Sequence, residues 1–400
     1  MSLNYGRHLV SIPGPSVIPD RVLNAMHRAS PNIYEGSLIE LTDSLIPDLK
    51  TVARTKGKLA IYIANGHGAW EAAITNTFSK GDKVLVLGTG RFAIGWGEWG
   101  RTTGIEPLVL DFGKSSPACP DKLEEVLRQD KDHSLKAVFV TQTDTASSVT
   151  NDIPALRKAI DAANHPALFM VDCIASLGCE RFEMDEWGVD LMVAGCQKGL
   201  MVPPGMSFVF ANERALAVRA NADLATSYWD WIPRMDPAGF YQYFGGTAPT
   251  HHLFGLREAL DMLVHEEGVE QAWARQEHFA KVIWAAVETW GADGGDLTFN
   301  ISDPIARSRA VTCIRTSDGN GTKIRRWCED IAGLTLGIGL VADTQGSDEW
   351  HNSFRIGHMG HLNVPMVMGT LGSIDSALKA LDIPHGSGAL EAAAQVVSEV

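Results

Sequence analysis

The sequence is short of several things at once. Its six cysteines (Cys119, Cys173, Cys179, Cys196, Cys313 and Cys328) include no Cys-x-x-Cys pair, a spacing that suits reduced core thiols better than a zinc site or a disulfide framework. No metal is expected. There is no uninterrupted apolar stretch long enough to cross a bilayer, and Met1 to Val10 lacks the basic-then-apolar pattern of a signal peptide. A cytoplasmic protein with no membrane partner is the expectation. Basic charge is scarce: 34 Lys and Arg stand against 48 Asp and Glu, a formal net charge of -14. That argues against a nucleic-acid partner, because such binders concentrate a basic surplus on one face. The Gly-x-Gly-x-x-Gly of a Rossmann dehydrogenase is missing after the first predicted strand. Internal repeats, low-complexity segments and runs of like charge are missing too.

What is present is an ordinary globular composition, 45% hydrophobic and 20% charged over 400 residues, enough for one large domain and one smaller one. From about Leu59 to Phe210, short β-rich apolar runs alternate with amphipathic helical stretches, the pattern of an α/β protein with a mostly parallel central sheet. The predicted strands are Leu59 to Ala64, Lys83 to Leu87, Pro107 to Asp111, Ala137 to Thr141, Ala167 to Val171, Leu191 to Ala194 and Ser207 to Phe210. Helices are predicted over Gly68 to Phe78, Lys122 to Arg128 and Ile153 to Ala163. A long helical connector, Gly255 to Gly291 with a break near Gly268, leads into a smaller C-terminal α+β domain. Its strands are Ala310 to Arg315 and Ser353 to Ile356, and its helices Lys323 to Ile331 and Pro365 to Leu381. The expected division is an arm over 1–18, a large domain over 19–266 and a small domain over 267–400.

In open sheets of this kind ligands bind beyond the carboxyl ends of strands, so chemistry is sought there. Lys198 follows the strand Leu191 to Ala194, between Gly195 and Gly199 and ahead of Pro203-Pro204-Gly205. Glycines on both sides and prolines fixing the next loop suit a lysine that projects its amine into a crevice. Asp172 ends the apolar run Ala167 to Val171. Such a carboxylate can cap a helix, bind a metal, or pair with the nitrogen of a pyridine ring and make the ring an electron sink. The glycine-rich turn Asn65-Gly66-His67-Gly68 enters a helix, where free backbone N–H groups and the helix dipole suit a phosphate.

These three pieces, in this order, resemble the fold-type I pyridoxal-phosphate enzymes, specifically the class V aminotransferases typified by serine–glyoxylate and alanine–glyoxylate aminotransferase. The resemblance begins at Pro13-Gly14-Pro15-Ser16, runs through the segments above and Asp185-Glu186-Trp187, and returns at Arg355-Ile356-Gly357-His358. It implies pyridoxal 5′-phosphate held as a Schiff base on Lys198, with Asp172 facing the pyridinium nitrogen. It implies Asn65, Gly66, His67 and Gln197 at the phosphate, with Thr247 reaching in from the other subunit of a homodimer with shared active sites. Phe92 falls where a ring stacks on the cofactor, and Thr145 where a hydroxyl meets its phenolic oxygen. Arg355 falls where a guanidinium grips the substrate carboxylate, with Tyr34 near the partner's substrate pocket. Read without the resemblance, His67 is better taken as a helix-start histidine, Phe92 as a core aromatic and Thr145 as a turn hydroxyl.

The chain departs from the family pattern at four places. Asn65 stands where serine or threonine is common, Ser148 where glycine is, Gln142-Thr143-Asp144-Thr145 where relatives tend to read His-Asn-Glu-Thr, and Phe244-Gly245-Gly246-Thr247 where a Phe-Pro-Tyr-Thr-like stretch stands. The expected reaction is transfer of an amino group from serine to glyoxylate, giving hydroxypyruvate and glycine. Alanine or aspartate as donor, or a lyase on the same cofactor, are alternatives within the fold, and a non-catalytic α/β binding protein is the alternative outside it.

Overall fold

The structure, a computed structural model, describes residues 2–400. Strand β1 (Leu9–Ser11) precedes the large sheet without joining it. The large sheet is built from β2 (Lys58–Tyr62), β3 (Lys83–Gly88), β4 (Glu106–Asp111) and β5 (Leu135–Thr141). A two-stranded hairpin of β6 (Thr143–Asp144) and β7 (Val149–Thr150) follows. The large sheet then continues with β8 (Leu168–Asp172), β9 (Leu191–Gly195) and β10 (Ser207–Ala211). Its order is β2-β10-β9-β8-β5-β3-β4. The central strands β8, β9 and β10 are buried along their whole length, as expected where helices cover both faces of a sheet.

The pairs β9–β8, β8–β5, β5–β3 and β3–β4 are parallel. Strand β10 alone runs antiparallel to both of its neighbours. Only residues 196–206 separate it from β9, too short a connection for the helical crossover that a parallel return needs. The short link that makes β10 the exception is also the loop that carries Lys198.

The predicted strands stand within a few residues of their expected bounds. The connector divides as expected near Gly268. Thr250–Leu260 is α-helical, Asp261–Glu267 widens into π turns, and after Gly268 at φ 88° the helix Val269–Gly291 begins. A second sheet contains β11 (Thr298–Phe299), β12 (Val311–Arg315), β13 (Leu334–Ile338) and β14 (Ser353–Gly357). Its order is β1-β13-β14-β12-β11, with β1 parallel to β13. The N-terminal segment thus extends the C-terminal sheet and then crosses back to the large one at residues 13–16.

Among the described residues no helix is long and apolar enough to cross a membrane. The six cysteines are all free thiols, and all but Cys119 are buried.

Candidate active site

The carboxyl ends of β5, β8 and β9 open into one cavity of about 290 Å³, whose walls include Asn65, Gly66, His67, Phe92, Thr145, Asp172, Gln197 and Lys198. Eight of the residues expected from sequence are therefore brought together by the fold.

Lys198 sits in the turn after β9. The turn is tied to the N-terminal segment twice, by Ser16 Oγ donating to the Lys198 carbonyl at 2.7 Å and by Ser16 N donating to the Gln197 carbonyl at 2.9 Å. The lysine Nζ donates to the Pro13 carbonyl. Gly14 lies at φ 88°, a conformation that strains any residue with a side chain, and its missing Cβ leaves the space that the end of the Lys198 side chain fills. Burial, aided by the charge of Arg355, lowers the Lys198 amine to a pKa of about 8.

Asp172 ends β8 opposite Thr141 of β5. Its Oδ1 accepts from Ile174 N at 2.7 Å and its Oδ2 from the Trp70 indole Nε1 at 2.9 Å. Burial outweighs these hydrogen bonds and pushes the Asp172 carboxyl up to about 7.

At the phosphate turn the structure differs from the simplest expectation. The N–H groups of His67 and Gly68 are not free, because the Asn65 side chain caps the helix Gly66–Thr77 and accepts from them at 3.1 and 3.4 Å. Asparagine is among the strongest N-caps, because its side-chain carbonyl accepts from the first free N–H groups of a helix.

Three expected residues lie outside the cavity wall. Arg355, in β14, is one layer back: its Nε donates to the Ile338 carbonyl at 2.7 Å and its Nη1 to the Thr145 carbonyl at 2.8 Å. It is buried, forms no ion pair among the described residues, and is lowered by burial to a pKa of about 10. Thr247 is exposed and Tyr34 is 87% exposed, both away from this chain's own cavity.

Several residues that sequence reasoning passed over belong to the site. Trp70 and Thr141 line the cavity. Asp144 does not, yet it fixes Phe92: its Oδ2 accepts from Phe92 N at 2.8 Å and Ala93 N at 2.9 Å, at the start of the helix Arg91–Thr103. The one available signal was the departure at Gln142 to Thr145, which marked the segment without assigning it. Ser148, where relatives carry glycine, lies at φ 63°, a conformation glycine adopts without steric cost.

Two buried polar atoms beside the cavity have no hydrogen-bond partner, Thr141 Oγ1 and Gln197 Oε1. A cavity with such orphans, a buried carboxylate, an amine of lowered pKa and a helix N-terminus fits a flat aromatic ring that carries a nitrogen on one edge and an anion on another.

Comparison with known proteins agrees with this geometry. Residues 49–333 match the model of the family "Aminotransferase class-V". The chain is 37% identical over 394 residues to a serine–glyoxylate aminotransferase of Methylorubrum extorquens, covering 96% of this chain and 94% of that one. It is 32% identical over 390 residues to an L-aspartate–glyoxylate aminotransferase of Paracoccus denitrificans, covering 96% and 95%. Among solved structures, the pyridoxamine–pyruvate aminotransferase of Mesorhizobium loti shares the fold with a TM-score of 0.86 at 23% identity, over 100% of this chain and 99% of that one. The chain belongs to the class V aminotransferases, fold-type I enzymes that move amino groups with pyridoxal 5′-phosphate as cofactor.

Proposed function

We propose that the enzyme transfers the amino group of serine to glyoxylate, releasing hydroxypyruvate and glycine. The observation that carries this reading is Arg355: a buried guanidinium with two donors spent on backbone carbonyls, Nη2 making no hydrogen bond among the described residues, and no acidic partner. An unpaired buried cation is costly unless something anionic completes it, and the α-carboxylate shared by amino and oxo acids does so in bidentate geometry. Arg355 answers to the α-carboxylate that all these donors share, and serine is chosen over aspartate on the 37% identity to a serine–glyoxylate enzyme against 32% to an aspartate–glyoxylate one.

When bound, pyridoxal phosphate supplies an aldehyde to take up the amino group and a ring that draws electrons from the substrate α-carbon. The protein's residues take these parts. Lys198 would hold the cofactor covalently through Nζ, and as a free amine it would be the base that takes up the substrate α-proton and gives it back. Its lowered pKa leaves a usable neutral fraction near neutral pH. Asp172 would hold the protonated ring nitrogen, Asn65, Gly66, His67 and Gln197 would hold the phosphate with Thr247 of a second copy, and Phe92 and Thr145 would hold the ring and its phenolic oxygen. Residues 19–266 act as the large unit and 267–400 as the small one, with 1–18 bridging them.

The test is a panel of serine, alanine and aspartate with glyoxylate, repeated on Arg355→Ala. Serine is expected to give the highest kcat/KM. The variant should still take up cofactor while losing roughly 30-fold to several thousand-fold in kcat/KM, the usual effect of truncating one partner of a buried charge pair. A tenfold preference for aspartate, or a variant of normal efficiency, would overturn the reading.

A further inference from the structure

Trp70 lies in the first turns of the helix Gly66–Thr77 and is 2% exposed. Its indole is held on both sides. It stacks on Trp96 with ring centroids 6.3 Å apart and planes 17° apart, and Trp96 stacks in turn on Phe139 at 4.4 Å. The His67 ring meets it edge-on at 4.7 Å. So held, the Nε1–H points at Asp172 Oδ2 at 2.9 Å.

We propose that Trp70 is a positioning residue for the transamination, acting through Asp172: its N–H fixes the plane of the carboxylate and limits how strongly that carboxylate draws the proton of the cofactor's ring nitrogen. The proposal rests on the reading that places that nitrogen at Asp172. A carboxylate offers about two acceptor directions on each oxygen. Ile174 N takes one on Oδ1 and Trp70 takes one on Oδ2. With one fixed donor on each oxygen the group cannot rotate, and its remaining lone pairs are left for the cavity. A donor to the ionised form also makes a carboxylate a weaker base, which matters most where burial has already pushed Asp172 up to about 7. Trp70 thus opposes burial, keeping Asp172 ionised when the ring nitrogen needs a negative partner. A purely structural tryptophan would fill the same space and leave the titration of the site untouched.

The substitution that separates the two roles is Trp70→Phe, which keeps a ring in the stack and removes only the donor. In the holoenzyme, the pH at which the absorption band of the bound cofactor changes should move up by about one unit, the size of one hydrogen bond to a charged group. The turnover number should fall about tenfold by the same conversion, with KM for serine little changed because Arg355 holds the carboxylate. In an Asp172→Asn background the same substitution should produce no further spectral shift, since an amide neither titrates nor draws the proton. Should Trp70→Phe not fold, Trp70→His, whose smaller ring keeps an N–H, serves instead, with an expected shift smaller than that of Trp70→Leu measured beside it. A folded Trp70→Phe whose band titrates as in wild type, with borohydride fixing the cofactor on Lys198 as before, overturns the role of Trp70 alone. Label recovered on another lysine overturns the placement of the cofactor, and the proposal with it.

Discussion

At the scale of single residues, the pair proposed to carry the chemistry, Asp172 and Lys198, is also a source of instability in the apoprotein. Asp172 has a folded pKa of about 7 against the usual 3.8, so folding disfavours its ionised form. Its penalty is absent well below pH 3.8, grows as pH rises, and is complete above about 7. Lys198, with a folded pKa of about 8 against the usual 10.5, behaves in the opposite sense. Its penalty is complete below about 8 and gone above 10.5. The two overlap around neutrality. In calorimetry of the apoprotein, the melting temperature of Asp172→Asn relative to wild type should therefore rise between pH 3.5 and pH 8, and that of Lys198→Met relative to wild type should fall between pH 7 and pH 11. A difference that does not change with pH in either variant would mean that neither charge is desolvated as the geometry implies. Both residues were legible in the sequence because Asp172 ends one buried apolar strand and Lys198 stands in the glycine-flanked turn after the next, where a lone charged residue needs a reason. Trp70 and Thr141 were not, because a tryptophan on a helix and a threonine in a strand read as core, and only tertiary packing shows what their polar atoms face.

At the scale of elements, the hairpin of β6 and β7 joins the parts of the site. Asp144 accepts from Phe92 N, Ala93 N and, through Oδ1 at 2.9 Å, Ala146 N. Burial pushes its pKa up while four backbone N–H groups pull it down. The helix Arg91–Thr103 has no cap of its own, since Gly90 brings no side chain, and a Cβ at Gly90 would strike the Asp144 carboxylate. The capping group therefore comes from another element. One residue on, the Thr145 carbonyl holds Arg355. On the far side of the hairpin, Glu180 accepts from Thr143 and Thr150 at 3.0 and 3.1 Å and from Ser308 at 2.7 Å, tying it to the C-terminal part of the chain. Asp144→Asn turns one acceptor oxygen into a donor that faces N–H groups. A loss of about 1–3 kcal/mol in urea unfolding is expected, the range for a buried donor left unsatisfied, together with faster cofactor dissociation as Phe92 loosens. A variant with wild-type stability and cofactor retention would show that the hairpin does not hold Phe92. None of this was legible beforehand. The hairpin strands are two residues each, too short for an alternating pattern, and the helix it caps contains Gly95, Gly97 and Gly100, which weaken any propensity signal. The longer strands were legible because each is a run of β-rich apolar residues five to seven long between turn signals.

At the scale of the whole molecule, the proposed site draws residues from two chains. Tyr34 and Thr247 face solvent, and a set of large apolar side chains is exposed with them: Tyr241 at 64%, Ile232 at 55% and Tyr228 at 40%. Exposed apolar side chains in number call for a partner surface, and the proposal that Thr247 completes the phosphate site of a second copy supplies one. Light scattering should then report a dimer, and a mixing experiment tests sharing directly. Lys198→Ala removes a residue each site takes from its own chain. Thr247→Glu places a negative charge where each site takes a phosphate donor from the other chain. Both variants alone should be nearly inactive. In a mixed symmetric dimer, the site built from the intact Lys198 of one chain and the intact Thr247 of the other is whole, while the second site carries both lesions. If subunits exchange at random from an equal mixture, half the dimers are mixed and half their sites are whole, so activity should return to about a quarter of wild type. Recovery near that level requires the two residues to meet across the interface. No recovery, under conditions where tagged subunits are shown to have exchanged, would mean that each chain builds its site alone, and Thr247 and Tyr34 would then be surface residues without a part in the reaction.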